Sequence, residues 1–229
     1  MSIKQMKLGS NPSLLAEVAP SGPERNVRES RIQARNRERI LSAATEIFSR
    51  YGFRGATLDQ IAERAEMSKP NLLYYFSSKE ELYLAVLRDI LEIWLQPLKE
   101  LDEKESPEHE ISAYIDQKIE FSRLYPMASR VFANEIAAGA PILKPVLDTY
   151  LRDVVKKKAR VIRKWIKRGE MADVDPYHLI MMIWAVTQHY ADFAVQVDSL
   201  LGKNLDEQHF YNQTRKNIKR IIMKGILRN

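Results

Sequence analysis

From residue 40 onward the apolar positions recur at steps of three and four. Ile40, Ala43, Ala44, Ile47, Phe48 and Tyr51 form one stripe on a 3.6-residue period, and Gly52 stands where that helix should end. Thr57 and Gln60 make a capping box that starts a short helix with Leu58, Ile61, Ala62 and Ala65 facing inward. After the turn Glu66-Met67-Ser68 a third helix opens, with Ser68 as cap and Pro70 in the first turn, where a missing N–H costs nothing. Its Leu72, Leu73 and Phe76 are expected in the core. Ser78 and Glu81 make a second capping box, launching a long helix over about 79–101 with Leu82, Val86, Ile90, Ile93, Trp94 and Pro97 on its inner side. Two short helices joined by a three-residue turn are too small to bury a core alone. Supported by a scaffold helix, they suit the major groove of DNA.

The pattern continues to the end of the chain. An acidic connector over 100–110 leads to Ser106-Pro107, which starts a helix running to about 124; Tyr125-Pro126 breaks it and begins another that ends near Ala138-Gly139. A helix over 141–168 is expected to bury Leu147, Tyr150, Leu151, Val154, Val155, Ile162, Trp165 and Ile166 while displaying the eight lysines and arginines of 156–168 on a solvated face. Asp175-Pro176 caps a helix over 177–197 that is apolar nearly all round, so it should face both its own core and a partner subunit. A last helix over 206–227 turns Phe210, Ile218, Ile221 and Ile222 inward. The fold class expected is all-α with about nine helices: residues 31–80 form a three-helix helix-turn-helix DNA-binding domain, and 81–229 a larger helical effector-binding and dimerisation domain. Residues 1–30, with several Pro, Gly and Ser and no sustained period, are expected to be disordered.

Composition narrows the picture further. Among 229 residues there is no cysteine, which removes disulfides, thiol switches and cysteine zinc sites, and no His pair falls in an HExxH arrangement. We therefore expect no metal and no cofactor. The apolar run in 177–197 is interrupted by Gln188, His189 and Asp192, so no membrane span is expected, and the N-terminus lacks a signal peptide's apolar core. A cytoplasmic protein fits these features. The net charge of +6 permits a polyanionic partner, and six arginines at 25, 28, 31, 35, 37 and 39 against Glu29 and Glu38 make a basic arm just ahead of the head.

The residues in register across 40–84, namely Ile40, Leu41, Ala43, Ala44, Phe48, Gly52, Thr57, Ile61, Ala62, Ser68, Leu72, Tyr75, Phe76, Lys79, Glu80 and Leu82, resemble the N-terminal domain of the tetracycline-repressor (TetR) family of transcriptional regulators. That resemblance implies a homodimer, built on its last two helices, that reads a near-palindromic double-stranded operator. Two positions depart from the family pattern. Glu66 stands where a turn glycine is usual, at a cost of about 1 kcal/mol if its backbone is left-handed, and Leu73 replaces the usual tyrosine. Lys69, Asn71 and Tyr74 are expected nearest the bases, with Ser68 and Pro70 at the helix start, Thr57, Tyr75 and Lys79 on the phosphate backbone and Arg54 close by.

The runs NLLYYF, YPMASRVFANEIAAGAP and DPYHLIMMIWAVTQHYADFAVQV further resemble the pyrimidine-utilisation (Rut) regulators of that family, which implies uracil or thymine as effector. Trp94, Trp184 and Gln188 are the effector-binding candidates, with Glu135 a lesser one, because apolar walls and a few oriented polar groups make a small-molecule pocket and a carboxamide matches an imide edge. Other readings are a regulator of a purine or different metabolite, an enzyme using Glu135, Asp192 or His189 as acid or base, and a DNA binder without an effector. The expectation is a regulator and no enzyme.

Overall fold

The structure, a computed structural model, describes residues 31–227. The expected disorder of 1–30, with Arg25 and Arg28 of the basic arm, lies outside them. Every element of length among the described residues is helical, and the chain divides into two compact units, the first ending at Ile93 and the second beginning at Trp94.

In the first unit α1 (Arg31–Gly55) starts well ahead of the apolar stripe, so Arg31, Arg35, Arg37 and Arg39 lie on a helix. Ile40, Leu41, Ala44 and Phe48 are buried, whereas Tyr51 is exposed at the edge of the stripe. Gly52 breaks the helical geometry at φ 66°, a left-handed value that a residue without a Cβ takes without strain. The Thr57–Gln60 box starts α2 (Leu58–Arg64) as expected, and Ser68 accepts from the Asn71 amide to start α3 (Lys69–Tyr75). Glu66, in the turn between them, has φ 53°. Then α4 (Lys79–Glu100) runs out of the first unit into the second, with Pro97 inside it.

The second unit continues with α5 (Pro107–Leu124) and α6 (Pro126–Ala137). The single helix expected over 141–168 is three pieces: the short turn α7 (Lys144–Val146), a π-helical turn over Leu147–Leu151, and α8 (Arg152–Lys167). Leu147, Tyr150 and Leu151 are half-buried because the wider turn swings them off the α8 stripe, which buries Val154, Ala159, Ile162 and Trp165. Part of the basic face of α8 serves the acidic connector: Lys158 Nζ donates to the Leu101 carbonyl at 2.9 Å, Lys164 to Glu103 at 2.5 Å, and Arg168 to the Glu103 carbonyl at 2.8 Å.

The helix expected over 177–197 is also divided. It breaks at Phe193 (φ −116°, ψ 34°) into α9 (Pro176–Asp192) and α10 (Ala194–Leu201). One face of α9, carrying Leu179, Ile180, Ile183 and Thr187, packs on α5, α6 and α8. Finally α11 (Gln208–Ile226) buries Phe210, Thr214, Ile218 and Ile222 in steps of four; Ile221, expected inside, falls beside that stripe and is exposed. No helix among the described residues is long and apolar enough to cross a membrane.

Candidate DNA-reading head and effector site

The short α3 can keep only one stripe inside. Leu72 is buried and Phe76 follows it at the helix end, while Ser68, Lys69, Pro70, Asn71 and Tyr74 line the open side. Leu73, expected in the core, is 38% exposed beside them. With Leu72 fixed on the buried stripe, its neighbour is rotated about 100° away.

Each remaining head residue has a definite place. Thr57 caps α2, its Oγ1 accepting from the Gln60 amide at 3.2 Å while the Gln60 side chain accepts from the Thr57 amide at 2.9 Å. Lys69 Nζ donates to Asp59 at 2.9 Å, and because both side chains are exposed the pair is worth at most about 1 kcal/mol, so Lys69 can exchange it for a nucleic-acid oxygen. Tyr75 is braced by Asn36, whose amide donates to the hydroxyl at 3.0 Å, and Tyr74 stands edge-on to it with ring centroids 5.3 Å apart. Lys79 holds the α1–α2 corner through the Ala56 carbonyl at 3.0 Å and lies 4.7 Å from the Phe53 ring centroid. Arg54 is exposed near the end of α1.

In the second unit the effector candidates separate. Trp184 and Gln188 lie one turn apart on α9. Trp184 Nε1 donates to the Tyr114 hydroxyl at 2.5 Å, and burial pushes that phenol far above its ordinary range, with the Trp184 bond opposing. The Trp184 ring lines a cavity of about 500 Å³ together with Leu147, Leu151, Val155, Ile180 and Met181. Gln188 Oε1 accepts from Lys118 Nζ at 3.4 Å, and that amine sits 3.8 Å from the centroid of the Trp94 ring. Trp94, Lys118 and Gln188 thus form one linked cluster, whereas Trp184, one turn from Gln188, bonds Tyr114 and faces the cavity.

Lys118 was missed in the sequence because it sits between the apolar Ile115 and Ile119 in an otherwise mixed helix, where a lysine reads as a surface residue. It is 1% exposed. Burial holds its amine well below the usual lysine range, and the charge of Asp192 opposes that shift. Asp192, raised by burial, accepts a short hydrogen bond from Ser129 that pulls the other way. Glu135 Oε1 accepts from the Ile142 and Leu143 amides at 2.7 and 2.9 Å, holding the chain between α6 and α7.

Residues 40–86 match the family of bacterial regulatory proteins of the tetR type, and residues 87–229 match the C-terminal region of YcdC-like proteins. The chain belongs to the TetR family of DNA-binding transcriptional regulators. Within that family it is 52% identical over 199 residues, 87% of this chain and 94% of the relative, to the HTH-type transcriptional regulator RutR of Escherichia coli K12. Solved structures share the fold: a TetR-like transcriptional regulator from Rhodococcus sp. RHA1 (20% identity, TM-score 0.61, 83% of this chain and 94% of that one) and a TetR/AcrR-family regulator from Thermobifida fusca (22%, TM-score 0.59, 83% and 98%).

Proposed function

We propose that this chain is a cytoplasmic, dimeric repressor that reads a near-palindromic operator through α3 and lets go of it when a small pyrimidine, such as uracil or thymine, binds the second unit. The observation that carries the reading is the 52% identity to RutR across 94% of that regulator. Two features of α9 support it: Gln188 carries an amide edge, and one turn before it Trp184 lines a cavity of about 500 Å³.

Lys69, Asn71 and Tyr74 would meet base edges, with Ser68, Pro70, Thr57 and Arg54 near the backbone; Tyr75 and Lys79 brace the head from within and reach phosphates with what donor capacity remains. One head offers few contacts, and two related by a two-fold axis double them. Self-association is favoured by the exposed Phe193, Val195, Leu200, Leu201 and Ile221 on the last helices, a density of apolar side chains that monomers rarely leave in water. A ligand binding one conformer better by about 1–3 kcal/mol lowers operator affinity several-fold to about a hundredfold. The acid–base candidates are occupied otherwise: Glu135 by backbone amides, Asp192 by Ser129, and His189 against the Phe193 ring at 5.1 Å between centroids.

The test is a gel shift on the chain's own upstream DNA at fixed salt, with and without uracil, thymine and other nucleobases. Release by uracil or thymine alone supports the reading. A specific shift indifferent to every base would keep the regulator and remove the pyrimidine. Gln188→Leu is expected to bind the operator and ignore the effector.

A further inference from the structure

The open side of α3 carries a patch of hydrocarbon. Once Leu72 takes the buried stripe, Pro70, Leu73 and Tyr74 are left outside; Leu73 follows Pro70 by three positions and Tyr74 follows it by four, so the three are neighbours on one face. Leu73 is 38% exposed and Tyr74 72%. Lys69 and Asn71 flank the patch with polar tips. The register cannot rotate to hide it, because the helix is pinned by the Ser68 cap at one end and by buried Phe76 at the other. Tyr74 brings a hydroxyl to this side, whereas Leu73 brings only an isobutyl group. Such a side chain gains nothing from a phosphate oxygen, which loses water against it and finds no donor in return. A base pair seen from the major groove offers donors, acceptors and a single apolar group, the 5-methyl of thymine.

We propose that Leu73 is a specificity-determining residue of the head, and that it reads thymine by packing on the 5-methyl group. This rests on α3 entering the major groove, as argued above. Pro70 and Tyr74 wall the contact and keep water from it, while Lys69 and Asn71 take hydrogen-bonding edges nearby. Hydrogen bonds do not supply the distinction at this position: thymine without its methyl keeps the O4 acceptor, and Leu73 has no donor with which to use it. Cytosine in the same place turns an amino group toward hydrocarbon and leaves that donor unmatched. A two-fold operator then carries one such thymine in each half-site.

The experiment is a gel-shift titration of the full-length chain, at fixed salt and with no free nucleobase, on a short duplex spanning the site that footprinting locates in its own upstream DNA. Thymines are replaced in symmetric pairs by deoxyuridine, which keeps every hydrogen-bonding group and removes only the methyl. One pair is expected to weaken wild-type binding roughly tenfold or more, since burying one methyl contributes about fourfold at each half-site. Leu73→Ala should bind the thymine duplex weakly and the deoxyuridine duplex equally well, its preference gone. Leu73→Met keeps an apolar reach and should keep the preference. Because the methyl is removed from the DNA, a substitution that merely loosens α3 would lower both affinities together; a thymine-to-deoxyuridine ratio in Leu73→Ala equal to that of wild type would overturn the assignment. A specific shift indifferent to deoxyuridine at every pair would overturn it too, and leave the DNA-binding reading standing. No specific shift on any upstream duplex would overturn both.

Discussion

Arg39 reaches from α1 to close the turn at Glu66: its Nη2 donates to the Ala65 carbonyl at 2.5 Å and lies 3.3 Å from both the Glu66 carbonyl and its Oε2. Most of this clasp is made to backbone, and the side-chain part is a largely exposed ion pair of little worth. Glu66 meanwhile holds φ at 53°, where a Cβ crowds the next carbonyl. Glu66→Gly should therefore stabilise the chain by about 1 kcal/mol, raising the thermal midpoint roughly 2–4 °C. A scanning-calorimetry trace with a lower midpoint would show that the ion pair outweighs the strain.

Lys118 should cost stability at neutral pH. Its amine is held below the lysine range in the folded chain, so between the folded and unfolded values, up to about pH 10.5, the unfolded state binds the extra proton and wild-type stability rises with pH. Lys118→Met should be the more stable protein at pH 7, by about 1–2 kcal/mol on the precedent of buried charges replaced by apolar side chains. Its advantage should shrink as pH approaches 10, which urea melts at the two pH values would read.

Asp116 on α5 clips α11 through Arg215 at 3.0 Å and Lys219 at 2.8 Å. Burial tends to raise this carboxyl, but the hydrogen bonds and charges of Arg215 and Lys219 prevail and hold it below the ordinary 3.8. A depressed carboxylate contributes stability above its unfolded pKa and loses it as pH falls through the folded one. Asp116→Ala should cost about 1 kcal/mol or less at pH 7, since the group is partly exposed, and the gap to wild type should close below about pH 3.8 in acid titrations followed by circular dichroism.

Pro97 lies inside α4 and cannot donate to the carbonyl four residues back, at Ile93, which is also the last residue of the first unit. A helix lacking that rung bends there at least cost. Pro97→Ala should restore the rung, stabilise the chain by about 1 kcal/mol or more, and leave operator affinity intact while reducing the fold of release by effector in the gel shift. Equal release from wild type and variant would separate the proline from the response.

The caps and the head were legible because they rest on local rules: Thr57 with Gln60, Ser68 with Asn71, and Gly52 at positive φ need no tertiary information. The cost foreseen for Glu66 came from its standing where the family pattern has a turn glycine. What escaped was decided by packing across distance. Leu73 looks like Leu72 until a seven-residue helix allows only one of them inside. The π-helical turn over Leu147–Leu151 and the break at Phe193 interrupt patterns that read as continuous helices. Lys118 meets Gln188, and Tyr114 meets Trp184, only when α5 and α9 lie together, and the Glu135 carboxylate meets the Ile142 and Leu143 amides only once the chain turns between α6 and α7.

The three tryptophans, Trp94, Trp165 and Trp184, all belong to the second unit, and the head carries only tyrosines and phenylalanines. The molecule is thereby partitioned optically. Emission excited at the red edge of the protein band comes from the second unit alone, where Trp94 lies under an amine and Trp184 on a cavity wall. A ligand titration and an operator titration can be followed in the same cuvette, the first by tryptophan and the second by a dye on the DNA, and the order in which the two signals move tells whether release follows binding or precedes it.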